Sequence, residues 1–216
     1  MNKLSNRLNA IAQFVDKKDS VVDVGCDHGY LSIYLKEVIK VKKIIASDIN
    51  QNALNSAINN IKKSNLDIET VLSDGIKDVN LKGINTLVIS GMGTSTILHI
   101  LSDKDKLKYI DKLLLQSNND HELLRRSLNE IGYYLEDETY TFEKGKWYVT
   151  CKFIKLDKKN NEDTIKYGFL NNDEYNKYLL NYEDNIVKRI PWKSFKAKLK
   201  SILRCNKLKR TISKLK

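Results

Sequence analysis

Along the chain, apolar positions recur first at helical spacing and then in short β-branched runs. Leu4, Leu8, Ile11, Ala12 and Val15 share one helical face, with Ser5 placed to cap it and Arg7 off that face. Val21, Val22 and Val24 predict a short strand buried on both faces and ended by Gly25. From Gly29 the helical period returns through Leu31, Ile33, Leu35, Val38 and Ile39. A second strand at 43–47 runs to Asp48, and Asn50 caps a helix through Ala53, Leu54, Ala57, Ile58 and Ile61. Strands at 68–72, 85–89 and 112–115 follow, each with a polar or glycine-rich stop: Ser73-Asp74-Gly75, then S-G-M-G-T-S-T, then Gln116-Ser117-Asn118-Asn119. Thr94 or Ser95 is placed to cap the helix after the second of these stops, and a helix at 120–131 follows the third. Residues 133–140 and 147–155 alternate as strands around Glu143-Lys144-Gly145-Lys146, a hairpin signal. Five βα units and a closing hairpin predict an α/β fold, a parallel sheet covered by helices on both faces.

The candidate chemistry falls at the carboxyl ends of the predicted strands, where open α/β sheets bind ligands. The first turn, S-V-V-D-V-G-C-D-H-G-Y-L, carries G-x-x-x-G and not the G-x-G-x-x-G of a dinucleotide site. Asp23 before the turn and Asp27 inside it would repel a pyrophosphate but suit a nucleoside that carries a cation. S-adenosylmethionine, with its ammonium and sulfonium groups, is such a ligand. Asp48 lies about twenty positions on, where a carboxylate meets ribose hydroxyls. Asp74 can accept from an adenine amino group, Gly75 allows close backbone approach, and Gly91 and Gly93 flank Met92 where a flat ligand can pass. The expected cofactor-binding set is therefore Asp23, Gly25, Cys26, Asp27, His28, Asp48, Ile49, Asp74, Gly75, Gly91 and Met92. Each has a plainer reading: Asp23 bonding loop amides, Asp48 and Asp74 as turn residues, His28 as a surface histidine, 91–93 as a tight turn.

Composition narrows the class, and charge adds a partner. Three cysteines, Cys26, Cys151 and Cys205, show no C-x-x-C spacing, which argues for a reducing cytoplasm and against a metal site. No apolar run is long enough for a membrane span, and the N-terminus has no signal-peptide core. Residues 1–156 carry 22 basic and 20 acidic side chains, whereas 157–216 carry 16 and 7, a balance of +9. No acidic residue follows Asp184. Such a segment fits a polyanion, or else a solvated basic face. After a polar linker at 158–163, Tyr167, Leu170, Tyr175, Tyr178, Leu179, Tyr182, Ile186, Val187 and Ile190 recur at helical spacing up to Pro191. A second basic helix is expected to bury Phe195, Leu199, Ile202 and Leu203 against the first.

D-V-G-C-D-H-G-Y-L at 23–31, S-G-M-G at 90–93, L-L-L-Q-S-N at 113–118 and L-S-N-R-L at 4–8 resemble the TrmK family, bacterial tRNA (adenine 22-N1)-methyltransferases. The resemblance covers about residues 1–155. It implies a Rossmann-like class I methyltransferase domain (1–156) that uses S-adenosylmethionine, and a small C-terminal helical, coiled-coil-like domain (164–216) that holds tRNA. It implies methyl transfer to N1 of adenosine 22 in the D-loop region of tRNA, without metal; a cytoplasmic monomer is the separate expectation. Asp27 is then the carboxylate facing the target adenine, His28 and Tyr30 shape its pocket, and Asn118 lies beside the base. Arg7, Lys188, Arg189, Lys193, Lys196, Lys200 and Arg204 are the expected RNA contacts. The chain departs from the family pattern twice: Thr94 stands where G-M-G-G has its last glycine, and Ser117 where Q-P-N has proline. The absence of N-P-P-Y or D-P-P-Y after the fourth strand argues against exocyclic N6 methylation. The rival readings are a non-catalytic tRNA-binding protein with a methyltransferase-like fold and a small-molecule methyltransferase.

Overall fold

The computed structural model describes residues 4–215. It divides into two compact units, one ending at Asn160 and one beginning at Asn161. The first unit opens with helix α1 (Asn6–Ala12), whose N-terminus is capped by the Ser5 hydroxyl accepting from Leu8 N. Strands β1 (Ser20–Val24), β2 (Lys43–Asp48), β3 (Glu69–Leu72), β4 (Thr86–Met92) and β5 (Lys112–Ser117) are parallel. Strands β6 (Tyr133–Glu143) and β7 (Lys146–Lys155) form the hairpin, and β7 pairs antiparallel with β5. The sheet order is β3-β2-β1-β4-β5-β7-β6. Because β1 is flanked by β2 and β4, the strand order reverses at β1. The helices that follow these strands therefore diverge and leave a crevice at its carboxyl end. Helices α2 (Tyr30–Tyr34), α3 (Gln51–Lys63), α4 (Thr94–Ile100), α5 (Lys104–Leu107) and α6 (His121–Glu130) fill the connections. Asn50 caps α3 by accepting from Asn52 N and Ala53 N. The centre of the sheet is dry: Val21, Val22, Ile45, Leu87, Ile89 and Leu113 are fully buried.

Several expectations are corrected at element ends. β4 does not stop at residue 89; it runs to Met92 through a bulge at Gly91, whose φ of +77° lies in the left-handed region. Neither Thr94 nor Ser95 caps α4. Gly93 holds the cap position, and the Asn119 side chain, 25 residues away, accepts from Thr94 N at 3.0 Å. α2 runs straight into a π-helical turn (Leu35–Ile39) that leaves Val38 exposed. The boundary between the units falls inside the segment expected as a linker, and the first half of that segment is pinned to the first unit. Asn160 Oδ1 accepts from Leu135 N, Asn160 Nδ2 donates to Leu135 O, and Asn160 N donates to Asn129 Oδ1.

The second unit consists of α7 (Glu162–Tyr167), α8 (Asp173–Arg189), a 3-10 turn (Trp192–Ser194) and α9 (Phe195–Ser213). Tyr167, Leu170, Leu208 and Ile212 form its core, with Leu179 and Leu180 packed on it. The expected stripe on α9 is corrected: Phe195, Leu199 and Leu203 are exposed, and so are Tyr178 and Tyr182 on α8. The buried line of α9 is Lys198, Ser201, Cys205, Leu208 and Ile212, spaced three and four apart as in a coiled-coil seam. One end of that seam is polar: Ser201 Oγ is buried without a hydrogen-bond partner, whereas Lys198 finds local acceptors. Lys198 Nζ donates to Val187 O and Ile190 O, and buried Glu183 pairs with Arg204 Nε at 2.8 Å.

One ion pair lies wholly inside the first unit. Arg125 of α6 and Glu138 of β6, both almost fully buried, pair directly. Glu138 also accepts from Tyr140 OH at 3.0 Å and from Cys151 Sγ at 3.4 Å. Replacing Glu138 by Leu strands a buried guanidinium, so urea titration should show a loss of about 3–5 kcal/mol in unfolding free energy. The double replacement Arg125→Met with Glu138→Leu should recover most of that loss, because both desolvated charges disappear together.

Candidate active site

A cavity of about 880 Å³ opens at the carboxyl end of β1. Asp23, Gly25, Cys26, Asp27, His28, Tyr30, Asp48, Ile49, Asp74, Gly75, Gly91 and Met92 line it, together with Arg7. The turn after β1 is stapled to the end of β2. Gly25 N and Cys26 N donate to Ser47 O at 2.8 and 3.0 Å, and Asp27 N donates to Asp48 Oδ2 at 3.0 Å. Asp48 Oδ1 accepts from Asn50 N at 2.9 Å, so one carboxylate fixes both the turn and the entry to α3. Gly29 has φ +72°, and a Cβ there would lie 3.1 Å from Ala57 Cβ, which explains the second glycine of the motif. The turn itself directs Asp27 outward. Its backbone is left-handed (φ 51°), its side chain is exposed, and Oδ1 lies 3.7 Å from His28 Nε2. The His28 and Tyr30 ring centroids are 5.7 Å apart, forming an aromatic rim beside that carboxylate.

Asp23 is the buried charge of the site. Its side chain accepts from Ser32 Oγ at 2.7 Å, and among the described residues no cationic side chain pairs with it. Burial, reinforced by the charge of Asp48, pushes its carboxyl up to about 6. Burial also raises the Cys26 thiol, which is inert at neutral pH. Asp74 is exposed and already paired with Lys77, whose hydrogen bond and charge hold its carboxyl below the usual range. Lys77 carries no motif and was not legible in the sequence.

Asn118 is not among the lining residues. Its Nδ2 donates to Gly91 O at 2.6 Å and its N–H to Met92 O at 2.9 Å, so this exposed residue holds the bulge. The two family departures touch each other: Thr94 Oγ1 lies 2.7 Å from Ser117 Oγ, both residues buried, and 2.6 Å from Asn119 O. A hydroxyl pair thus ties the start of α4 to the loop after β5. Arg7 reaches the cavity because β6 and β7 hold it. Its N–H donates to Glu143 Oε2 at 3.1 Å, and its guanidinium carbon lies 5.9 Å from the Tyr148 ring centroid. Leu4, Ser5 and Leu8 of the L-S-N-R-L motif also line the cavity, as do Thr96, His99 and Ile100, which carry no sequence signal as site residues. On the second unit, Arg189, Lys193, Lys196 and Lys200 are exposed, while Lys188 pairs with Asp184 at 2.7 Å and Arg204 with Glu183. Among the described residues no group of three or more His, Cys, Asp or Glu side chains could hold a metal ion, and no helix is long and apolar enough to cross a membrane.

Two outcomes follow from this geometry. A carboxyl raised in the folded state stabilises fully below its unfolded pKa and loses that contribution as pH rises through the folded value. Asp23→Asn should therefore become the more stable protein progressively between about pH 4 and 6 and keep that advantage above it. Urea titrations across this window should show a gain on the order of 2 kcal/mol at pH 7.5. Thr94→Val and Ser117→Ala should each destabilise the protein, and a double-mutant cycle should return a coupling of about 1 kcal/mol.

Residues 4–151 match the family described as a methyltransferase domain. The tRNA (adenine(22)-N(1))-methyltransferase of Bacillus subtilis is 34% identical over 149 residues, which cover 68% of this chain but only 63% of that relative's length. A putative tRNA methyltransferase of Mycoplasma genitalium is 31% identical over 159 residues, 72% of either chain. The structure of M. capricolum TrmK with the cofactor product S-adenosyl-homocysteine matches with a TM-score of 0.86 at 30% identity, covering 98% of this chain and 99% of that one. A putative tRNA (m1A22) methyltransferase of Streptococcus pneumoniae matches at 0.89 and 25%, over 97% of this chain and 100% of that one. These likenesses cover the hairpin-closed sheet, the acidic glycine turn and the helical second unit, and the chain belongs to the TrmK family of class I methyltransferases.

Proposed function

We propose that the protein transfers a methyl group from S-adenosylmethionine to ring nitrogen N1 of adenosine 22 in tRNA, acting as a cytoplasmic monomer. The observation that carries this reading is the junction at the first turn. There a buried, unpaired carboxylate faces the cavity from one side, and the exposed Asp27–His28–Tyr30 rim bounds it on the other. The residues present fit the methyl donor. The cavity has the volume of a nucleoside-sized site. Asp23 offers a negative charge for the ammonium group, and each Asp48 oxygen keeps a lone pair for ribose hydroxyls. Gly75 supplies backbone approach for the adenine, because the Asp74 carboxylate is already shared with Lys77. When bound, S-adenosylmethionine supplies an electrophilic methyl group on sulfur.

The rest of the chemistry belongs to the base and to this chain. N1 of adenine has an available lone pair, so no strong base is needed before transfer, but the base must be unpaired or flipped out to reach the cavity. The His28–Tyr30 rim positions it, and alignment of N1 supplies most of the rate. Methylation leaves a cationic base. The Asp27 carboxylate, held at the rim by its backbone bond to Asp48, stabilises that charge or takes the N6 proton. Asn118 acts through Gly91. The basic second unit holds the tRNA backbone. With about six phosphate contacts, log affinity should fall with log salt at a slope near −5.

Incubation with labelled S-adenosylmethionine and unmodified tRNA, followed by mapping of the labelled nucleoside, tests the reading. N1-methyladenosine at position 22 is expected; label at another position, or tight tRNA binding without label, overturns it. Asp27→Ala should abolish transfer while S-adenosylhomocysteine affinity by calorimetry stays within a few fold. Equal loss of both would make Asp27 a cofactor ligand.

A further inference from the structure

The tip between α8 and α9 carries an aromatic surface that the proposed chemistry does not use. Lys198 is buried just inside α9, and its Nζ donates to Val187 O at 2.5 Å and to Ile190 O at 2.8 Å. A cation there satisfies carbonyls that the end of α8 leaves open and complements the helix dipole. The same Nζ lies 5.3 Å from the Trp192 ring centroid. One face of the indole therefore rests on a fixed ammonium group. Trp192 is nevertheless 68% exposed, and Phe195, the next residue on that side, is 58% exposed. The tip is held in place while its largest apolar side chain stands in water. Arg189, Lys193 and Lys196 lie within four residues of it in the chain, all exposed, and no acidic residue lies beyond Asp184.

We propose that Trp192 is a stacking platform for an unpaired nucleobase of the bound tRNA, with Arg189, Lys193 and Lys196 holding the phosphates beside it. The inference rests on the tRNA reading above and adds a specific contact to it. Nucleic acid is the polyanion whose flat apolar faces match one free indole face, and stacking of this kind tolerates any base. A second copy of this chain would bring the same positive charge to the interface. Insertion into a lipid surface would carry the Lys198 ammonium toward hydrocarbon along with the ring it supports.

The test uses the full-length protein with S-adenosylhomocysteine present. End-labelled, unmodified tRNA is titrated from about 50 to 200 mM salt. Trp192→Ala should weaken binding about tenfold with an unchanged salt slope, and Trp192→Phe should retain most of the affinity. Lys193→Ala with Lys196→Ala should instead lower the slope by about two. S-adenosylhomocysteine affinity and the circular dichroism of Trp192→Ala should match wild type. A wild-type protein that methylates tRNA while Trp192→Ala binds it equally well overturns the stacking platform alone. Trp192-dependent binding to anionic phospholipid vesicles, or Trp192-dependent self-association, with tRNA affinity unchanged also overturns it. A wild-type protein that neither binds nor methylates tRNA overturns the functional reading itself.

Discussion

The site depends on one carboxylate used twice. Asp48 sits at the end of β2 and accepts from the N–H of Asp27 with one oxygen and from that of Asn50 with the other. Amide bonds to a charged acceptor are among the stronger hydrogen bonds a protein makes. These two connect the β1 turn, the β2 end and the start of α3. The left-handed backbone at Asp27 would be strained without such support, yet it points a charged side chain into the cavity mouth. A residue that sequence logic assigns to ribose hydroxyls is therefore also the reason Asp27 and His28 stand where they do. Mutational loss at Asp48 would mix cofactor affinity with rim geometry, whereas Asp27 separates them.

The parts of the fold legible in the sequence are those set by local signals. The β-branched run before Gly25, the Asn50 cap and the alternation either side of Lys144-Gly145 all rely on neighbours within a few residues. Each recurs in the structure within one to three positions. What could not be read depends on distant side chains. α4 is capped by Asn119 from the β5 loop, Arg7 is fixed by Glu143 from across 136 residues, and Asn160 is bound to Leu135 and Asn129. None of these leaves a periodic trace. The cavity lining was legible because chemistry-bearing residues cluster at strand ends. Asn118, whose motif position suggested a place beside the base, is exposed and donates one amide hydrogen to the Gly91 carbonyl.

The second unit was misread for a related reason. Phe195, Leu199 and Leu203 form an i, i+4, i+8 line that looks like a core face, yet the chain buries Lys198, Ser201 and Cys205. A hydrophobicity pattern counts Lys198 as polar throughout. Its aliphatic stem fills a seam position while its ammonium group caps α8. Once that stem takes the seam, the aromatic and leucine line is forced outward, next to the lysines. The same substitution of roles creates both the misreading and the exposed surface at the tip.

Asp23 separates what stabilises this fold from what serves the ligand. A buried aspartate normally has a counter-charge or several donors; among the described residues Asp23 has the hydroxyl and backbone N–H of Ser32 and no cationic partner. The adjacent Asp48 charge makes matters worse, so at neutral pH the free protein carries an uncompensated cost at its centre. Such a cost persists where a bound partner removes it, and a cation entering the cavity would do so most directly. The first unit contains a buried ion pair, Arg125 with Glu138, so this sequence can neutralise an interior carboxylate where only structure is at stake, even though Arg125 Nε is left without a partner. That it leaves Asp23 unmatched, facing the cavity, is an argument from energetics for a cationic ligand. It is independent of the glycine spacing that first suggested one.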